Sequence, residues 1–218
     1  TTAASLSVAI GGVGVAVSGA GAAAQNIITT TTNAYIADSV IDSAEDVTLE
    51  ASDTATIDAT VAALSASVAG GGVGVGVSIG GAAARNVIGS PSQVQAYISD
   101  STVTADGALA LSATEAATIN AAVLSGSMAI AAGGVAVGVG ASGVLARNFI
   151  STDVKAYIDG DGDGIEADSI ALTADDLSTI TAVSGAAAIT GAVGLVGVAV
   201  SIGGALAVNE IDNHIEAY

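Results

Sequence analysis

The chain has 218 residues, 21 of them acidic against three Lys and Arg, and a formal charge of −18. Such an excess of acid opposes binding to nucleic acid and to anionic membrane surfaces. With no Cys and His214 as the single histidine, thiolate nucleophiles and the Cys-based or multi-His zinc sites cannot be assembled within it.

Half of the residues are hydrophobic, yet there is one Phe and no Trp, and Gly occurs 29 times. The apolar mass is therefore Ala, Val and Ile, which suits thin, closely packed β layers. Residues 21–28 read GAAAQNII, and the motif returns as GAAARNVI (81–88), GVLARNFI (143–150) and GALAVNEI (204–211). Asn26, Asn86, Asn148 and Asn209 are spaced by 60, 62 and 61 residues, and Tyr35, Tyr97, Tyr157 and Tyr218 by 62, 60 and 61. Two independent markers agree on a period near 61, the signature of an array whose units stack on their neighbours. The chain reads as one continuous array: a partial unit 1–60, units 61–122 and 123–182, and a partial unit 183–218. Both ends fall in mid-unit, so the expectation is a segment of a longer protein.

Within a unit, Val47, Leu49, Ala51, Ala55, Ile57, Ala59 and Val61 alternate with Thr, Glu, Ser and Asp, as in strands with one dry and one wet face. Asp53 stands in the dry register, and Glu115 takes the same place one unit later. A corner is expected there, with the acid swinging out.

Next comes GGVGVGVSIGG (71–81). Val73, Val75, Val77 and Ile79 share one side and Gly74, Gly76 and Ser78 the other. Gly in a strand costs backbone entropy, so its repeated use predicts close approach of another backbone or sheet on the bare face. Residues 59–84 carry no charge and are long enough to suggest a membrane span. Strict period-two alternation, seven Gly in 61–84 and the lack of flanking Lys/Arg asymmetry favour strand instead, and no transmembrane helix is expected. A phosphate-binding loop is excluded, because the glycines alternate inside a strand and no Lys follows them.

After the asparagine, Val94, Ala96 and Ile98 alternate again, Tyr97 points the other way, and Asp106-Gly107 makes a turn before Leu109 and Leu111. Each unit is expected to hold about six short strands wound into two or three coils, given typical strand lengths of about five to six residues. The predicted fold is all-β, a parallel β-solenoid; the alternative is a meander of long antiparallel hairpins.

The motifs GAAARNVI, AYISDSTVTADGALALSA and ATINA run through the whole chain. They resemble the Gly/Ala/Val-rich repeats of giant bacterial surface proteins: filamentous-haemagglutinin-like adhesins and leukotoxin-type autotransporter passengers. The resemblance implies an extracellular β-helical stalk with adhesive or structural duty and no catalytic residues.

The third unit carries a one-residue insertion in YIDGDGDGIEADS (157–169). Asp159, Asp161 and Asp163 on a Gly-rich loop, with Asp168 beyond, form a candidate Ca²⁺ site, since this cation takes six to eight oxygens. Position 12 of an EF-hand loop would be a bidentate Glu and is Ile170 here, and a solvated acidic turn is the competing reading. Glu45/Asp46 and Asp175/Asp176 read as surface charge rather than acid–base pairs. Arg85 and Arg147, in matching slots, are expected to pair with acids of an adjacent coil, and the recurring asparagines to form a hydrogen-bonded ladder. The functional expectation is a non-enzymatic structural segment of an extracellular filament, stalk or matrix, self-associating through its Gly/Ala/Val strands. The alternatives are an adhesin passenger binding a surface ligand and a membrane-inserting β structure.

Overall fold

A computed structural model describes residues 1–160 and 164–218. Its strands are β1 (Thr2–Ile28), β2 (Thr31–Ala37), β3 (Val40–Ser43), β4 (Val47–Asp53), β5 (Thr56–Ser99), β6 (Thr102–Glu115), β7 (Thr118–Asp159), β8 (Ile165–Asp176), β9 (Thr179–Ile211) and β10 (His214–Ala217). One sheet runs β1-β5-β7-β10, with β2 also on β5 and β9 on β7; the second runs β3-β6-β4, with β8 on β6. Every one of these pairings is parallel, so the fold is a β-solenoid and not an antiparallel meander.

The register defines the coil. Thr2 lies beside Ala62, Thr56 beside Thr118, and Thr118 beside Thr179. Partners are thus one sequence repeat apart, and each repeat makes one large coil rather than the two or three expected. The expectation failed because strand length was taken from typical proteins. Here β5 and β7 run for 44 and 42 residues, bending without losing their ladder to the next coil. The turn between the two walls needs Gly71, whose φ is +156° and whose absent Cβ would strike the Gly11 carbonyl oxygen.

Each coil is flattened, and its core thins from one end to the other. At the broad end Leu49, Leu109 and Leu111 pack on Val94, Ile98 and Val154. In the middle Ile57, Ile119, Ile88 and Ile150 meet across the coil. Next come Val61, Val123, Ala82 and Ala84. The narrow end has only hydroxyls, glycine and alanine: Ser65 and Ser78 meet at 2.7 Å, as do Ser5 and Ser18. Wall separation follows side-chain size, so the solenoid tapers to a thin two-walled blade.

Two ladders, more covered in the inner coils than at the chain ends, hold the register. Each asparagine amide donates to the next asparagine carbonyl, Asn26 to Asn86 at 2.7 Å, Asn86 to Asn148 at 2.8 Å and Asn148 to Asn209 at 2.8 Å. Tyr35, Tyr97, Tyr157 and Tyr218 stack with ring centroids 5.0–5.3 Å apart. Both ladders reward only the in-register arrangement, because a one-residue slip would reverse every side chain.

Candidate functional site

The blade sets the sidedness of the molecule. Its outgoing wall (61–69) buries Val61, Ala63, Ser65, Ser67 and Ala69, and its return wall (73–84) buries Gly74, Gly76, Ser78, Gly80 and Ala82. The bare glycine face therefore points inward, against the opposite wall. A Cβ on Gly74 would lie 2.7 Å from the Ala132 carbonyl oxygen, one on Gly76 3.0 Å from that of Ile130, and one on Gly80 2.7 Å from that of Gly126. Close backbone approach is thus the reason for these glycines. The aliphatic side chains of both walls consequently stand outside.

The return wall is regular. Val13, Val73, Val135 and Val196 form one column along the stacking axis. Val15, Val75, Val137 and Val198 form a second, and Val17, Val77, Val139 and Val200 a third. Even in the two inner coils, flanked above and below, Val73 and Val135 keep 37% and 42% of their surface exposed. Beside the third column but one runs Gly21, Gly81, Gly143 and Gly204, flooring a shallow groove of about 730 Å³. A Cβ on Gly81, Gly143 or Gly204 would meet nothing within 4 Å. The outgoing wall is irregular by contrast: successive coils place Ala4, Leu64, Gly126 and Ala187 in one column, and Leu6, Ala66, Met128 and Ile189 in the next.

Charge is partitioned. Residues 1–37, 59–84, 116–146 and 177–209 contain no Asp, Glu, Lys or Arg. Among the described residues the acids belong to the broad half of the coils and its corners, leaving the blade without an ionised side chain.

The second feature is inside the broad half. Asp53, Glu115 and Asp176 form one column at the corner where each coil enters its long wall. The corner is as expected, but the acid does not swing out: Glu115 is fully buried and neither carboxylate oxygen has a hydrogen-bond partner. Its neighbours are satisfied. Asp53 accepts from the Thr30 hydroxyl, and Asp176 accepts from the Ser178 amide at 2.9 Å and from the Asn213 side chain at 2.6 Å. Burial, then the charges of Asp53 and Asp176, push the Glu115 pKa from 4.5 to about 7, with the Ala117 amide pulling weakly the other way. Sequence alternation placed Glu115 in the dry register; the assumption that a charge must leave that register was the error.

Of the candidate calcium ligands, Asp161 and Asp163 lie outside the described residues. Asp159 ends β7, where its carbonyl accepts from the Asp100 amide at 3.1 Å, and Asp168 is exposed on β8. Among the described residues no group of three or more His, Asp or Glu is placed to hold a metal ion. Glu45 and Asp46 are exposed, Asp46 accepting from the Ala108 amide at 2.8 Å. Arg85 and Arg147 stack in one column and, among the described residues, form no ion pair, contrary to expectation. Their column holds Gln25 and Val208 at the other two levels, so no acid is stacked against either guanidinium. Among the described residues Glu216 forms an ion pair with Lys155 at 2.9 Å and lies 2.9 Å from His214 Nε2; the Lys155 hydrogen bond is the largest cause holding the Glu216 carboxyl below its usual range.

No helix among the described residues is long and apolar enough to cross a membrane, which leaves β structures in lipid untouched. Compared with known proteins, the chain matches no family model, no curated protein and no solved structure.

Proposed function

We propose that this chain is a non-enzymatic structural segment of an extracellular filament, stalk or matrix, in which solenoids associate through the apolar blade. The observation that carries this reading is the division of each coil into an acidic broad half and an uncharged blade with aliphatic side chains outward. Soluble monomers rarely expose contiguous apolar patches beyond a few hundred Å², and larger ones mark interaction surfaces. Mechanical duty fits a fold whose every coil is held to the next by a continuous parallel ladder. The adhesin-like motifs support placement at a cell surface, where an adhesive ligand is a further role. Ca²⁺ bound by Asp159, Asp161, Asp163 and Asp168 would stiffen the acidic side, a role the donor chemistry suits.

The test is sedimentation velocity of the purified chain across a wide concentration range, with electron microscopy of the heaviest fraction. Concentration-dependent growth into rods or sheets supports the reading, and a single small species at every concentration refutes it. Repeating the run with a calcium chelator tests the ion separately: unchanged sedimentation and thermal midpoint remove Ca²⁺ from the account. A second reading, insertion of the blade into lipid, is favoured by the same apolar walls, and co-flotation with vesicles tests it.

A further inference from the structure

We propose that the return wall, and not the outgoing wall, is the contact surface, and that its occupant is the return wall of a second copy of this chain. This rests on the self-association reading above and specifies which face performs it.

Recurrence of identity at exposed positions carries the inference. The fold asks of an outward position in a strand only that its side chain tolerate β geometry, and the outgoing wall shows the consequence, with Leu64 aligned to Gly126. The return wall gives up that freedom over three adjacent columns, where all twelve positions are Val, and regains it only at the next, Gly19, Ile79, Ala141 and Ile202. Packing between stacked valines of the chain covers part of their surface in the inner coils, but it rewards any aliphatic column and leaves the outer side of each valine open. Hydrocarbon does not impose it either, since a fluid tail region rewards any apolar side chain alike. A rigid partner with the same rise of about 4.8 Å per strand does, because β-branched side chains repeating at that spacing interdigitate row by row into a dry interface.

Area and charge agree. Nine residues from 73 to 81 at about 3.3 Å each, over four coils at about 4.8 Å, give a face of roughly 600 Å². Two such faces bury about 1,200 Å², the lower bound of stable protein interfaces. No charged side chain lies on either wall, so two copies approach without desolvating an ion, while their acids remain on the distal halves. The acid charge then disfavours contacts made through the broad halves, which would bring like charges together. The Gly81 column extends the face as a recess that a partner can enter, which accounts for glycine where a side chain would meet open space.

The experiment compares three forms of the full chain by sedimentation velocity, with far-UV circular dichroism as the fold check: wild type, Val75→Glu with Val137→Glu on the return wall, and Leu64→Glu with Leu124→Glu on the outgoing wall. The expected result is association of wild type and of the outgoing-wall variant, with affinity lost at least about 100-fold in the return-wall variant, as for an unpaired buried charge. If the return-wall glutamates prevent folding, Val75→Thr with Val137→Thr keeps the shape and is expected to weaken association in the same direction. Association of the return-wall variant like wild type, or its loss only in the outgoing-wall variant, overturns the assignment while leaving self-association standing. A wild type that stays single at all concentrations overturns both. If that single species floats with phosphatidylcholine vesicles, lipid is the occupant.

Discussion

Replacing Glu115 with Gln removes a buried charge without changing the shape of the side chain, and the energetic consequence follows from its titration. In the unfolded chain this carboxyl titrates near 4.5, and in the fold near 7. Below 4.5 it is protonated in both states, and its neutral form is accommodated at full stability. Between 4.5 and 7 the unfolded chain releases the proton first, so stability falls as pH rises; above about 7 the loss is complete. At roughly 1.4 kcal/mol per pH unit the gap amounts to about 3 kcal/mol. Urea unfolding followed by circular dichroism at pH 4, 5, 6, 7 and 8 measures it. The difference between wild type and Glu115→Gln cancels the other carboxyls, which titrate in both. We expect the two to match at pH 4 and Glu115→Gln to be the more stable at pH 8 by about 3 kcal/mol. A difference independent of pH, or a wild type more stable at pH 8, would falsify the placement of an unpartnered carboxylate inside the corner.

Asn148→Ala takes the acceptor from Asn86 and the donor from Asn209. Asn209 is exposed, so the buried Asn86 amide is the group left stranded, and the loss should cost about 1–3 kcal/mol of unfolding free energy, whereas Asn120→Ala, which removes only the exposed bond to Asp58, should cost under about 1 kcal/mol. Adjacent glycines separate the two faces of the return wall. Gly80→Ala places a methyl 2.7 Å from the Gly126 carbonyl oxygen and should destabilise by about 1–3 kcal/mol through overpacking. Gly81→Ala meets nothing within 4 Å and should stabilise the single copy by about 0.5–1 kcal/mol. Equal midpoints for the Gly80 and Gly81 variants would contradict the inward and outward assignment.

Much of this architecture is legible from alternation and period. Asn26 to Asn209 fix the repeat and the ladder before any coordinates, because an asparagine recurring at one position of a stacked array meets its own copies. Leu49, Val94, Leu109 and Leu111 declare the broad core, where apolar alternates with polar and the dry side is unambiguous. The blade is where that rule runs out. Val73 to Ile79 against Gly74 to Ser78 tells which residues share a side, yet hydrophobicity assigns valine to the interior and the structure puts it outside. The deciding quantity is wall spacing, which small side chains and Ser65–Ser78 hydroxyl pairing hold too narrow for valine, and spacing is not written in any single strand. Glu115 fails for a related reason: its register is plain, but its confinement depends on the neighbouring coils above and below. Coil length was hidden because apolar residues keep to odd positions through the bends of β5 and β7, while the buried side shifts there from odd residues to even ones.

The inversion of the blade is the claim on which the functional reading depends, and the absence of native cysteine makes it directly measurable. Val75→Cys and Ser78→Cys place single thiols on opposite sides of the same wall. Maleimide labelling of the folded chain, at a concentration where it sediments as its smallest species, reads which side water reaches. The account predicts rapid labelling at position 75 and labelling at position 78 only on unfolding; the reverse pattern would return valine to the interior and remove the exposed wall on which association depends.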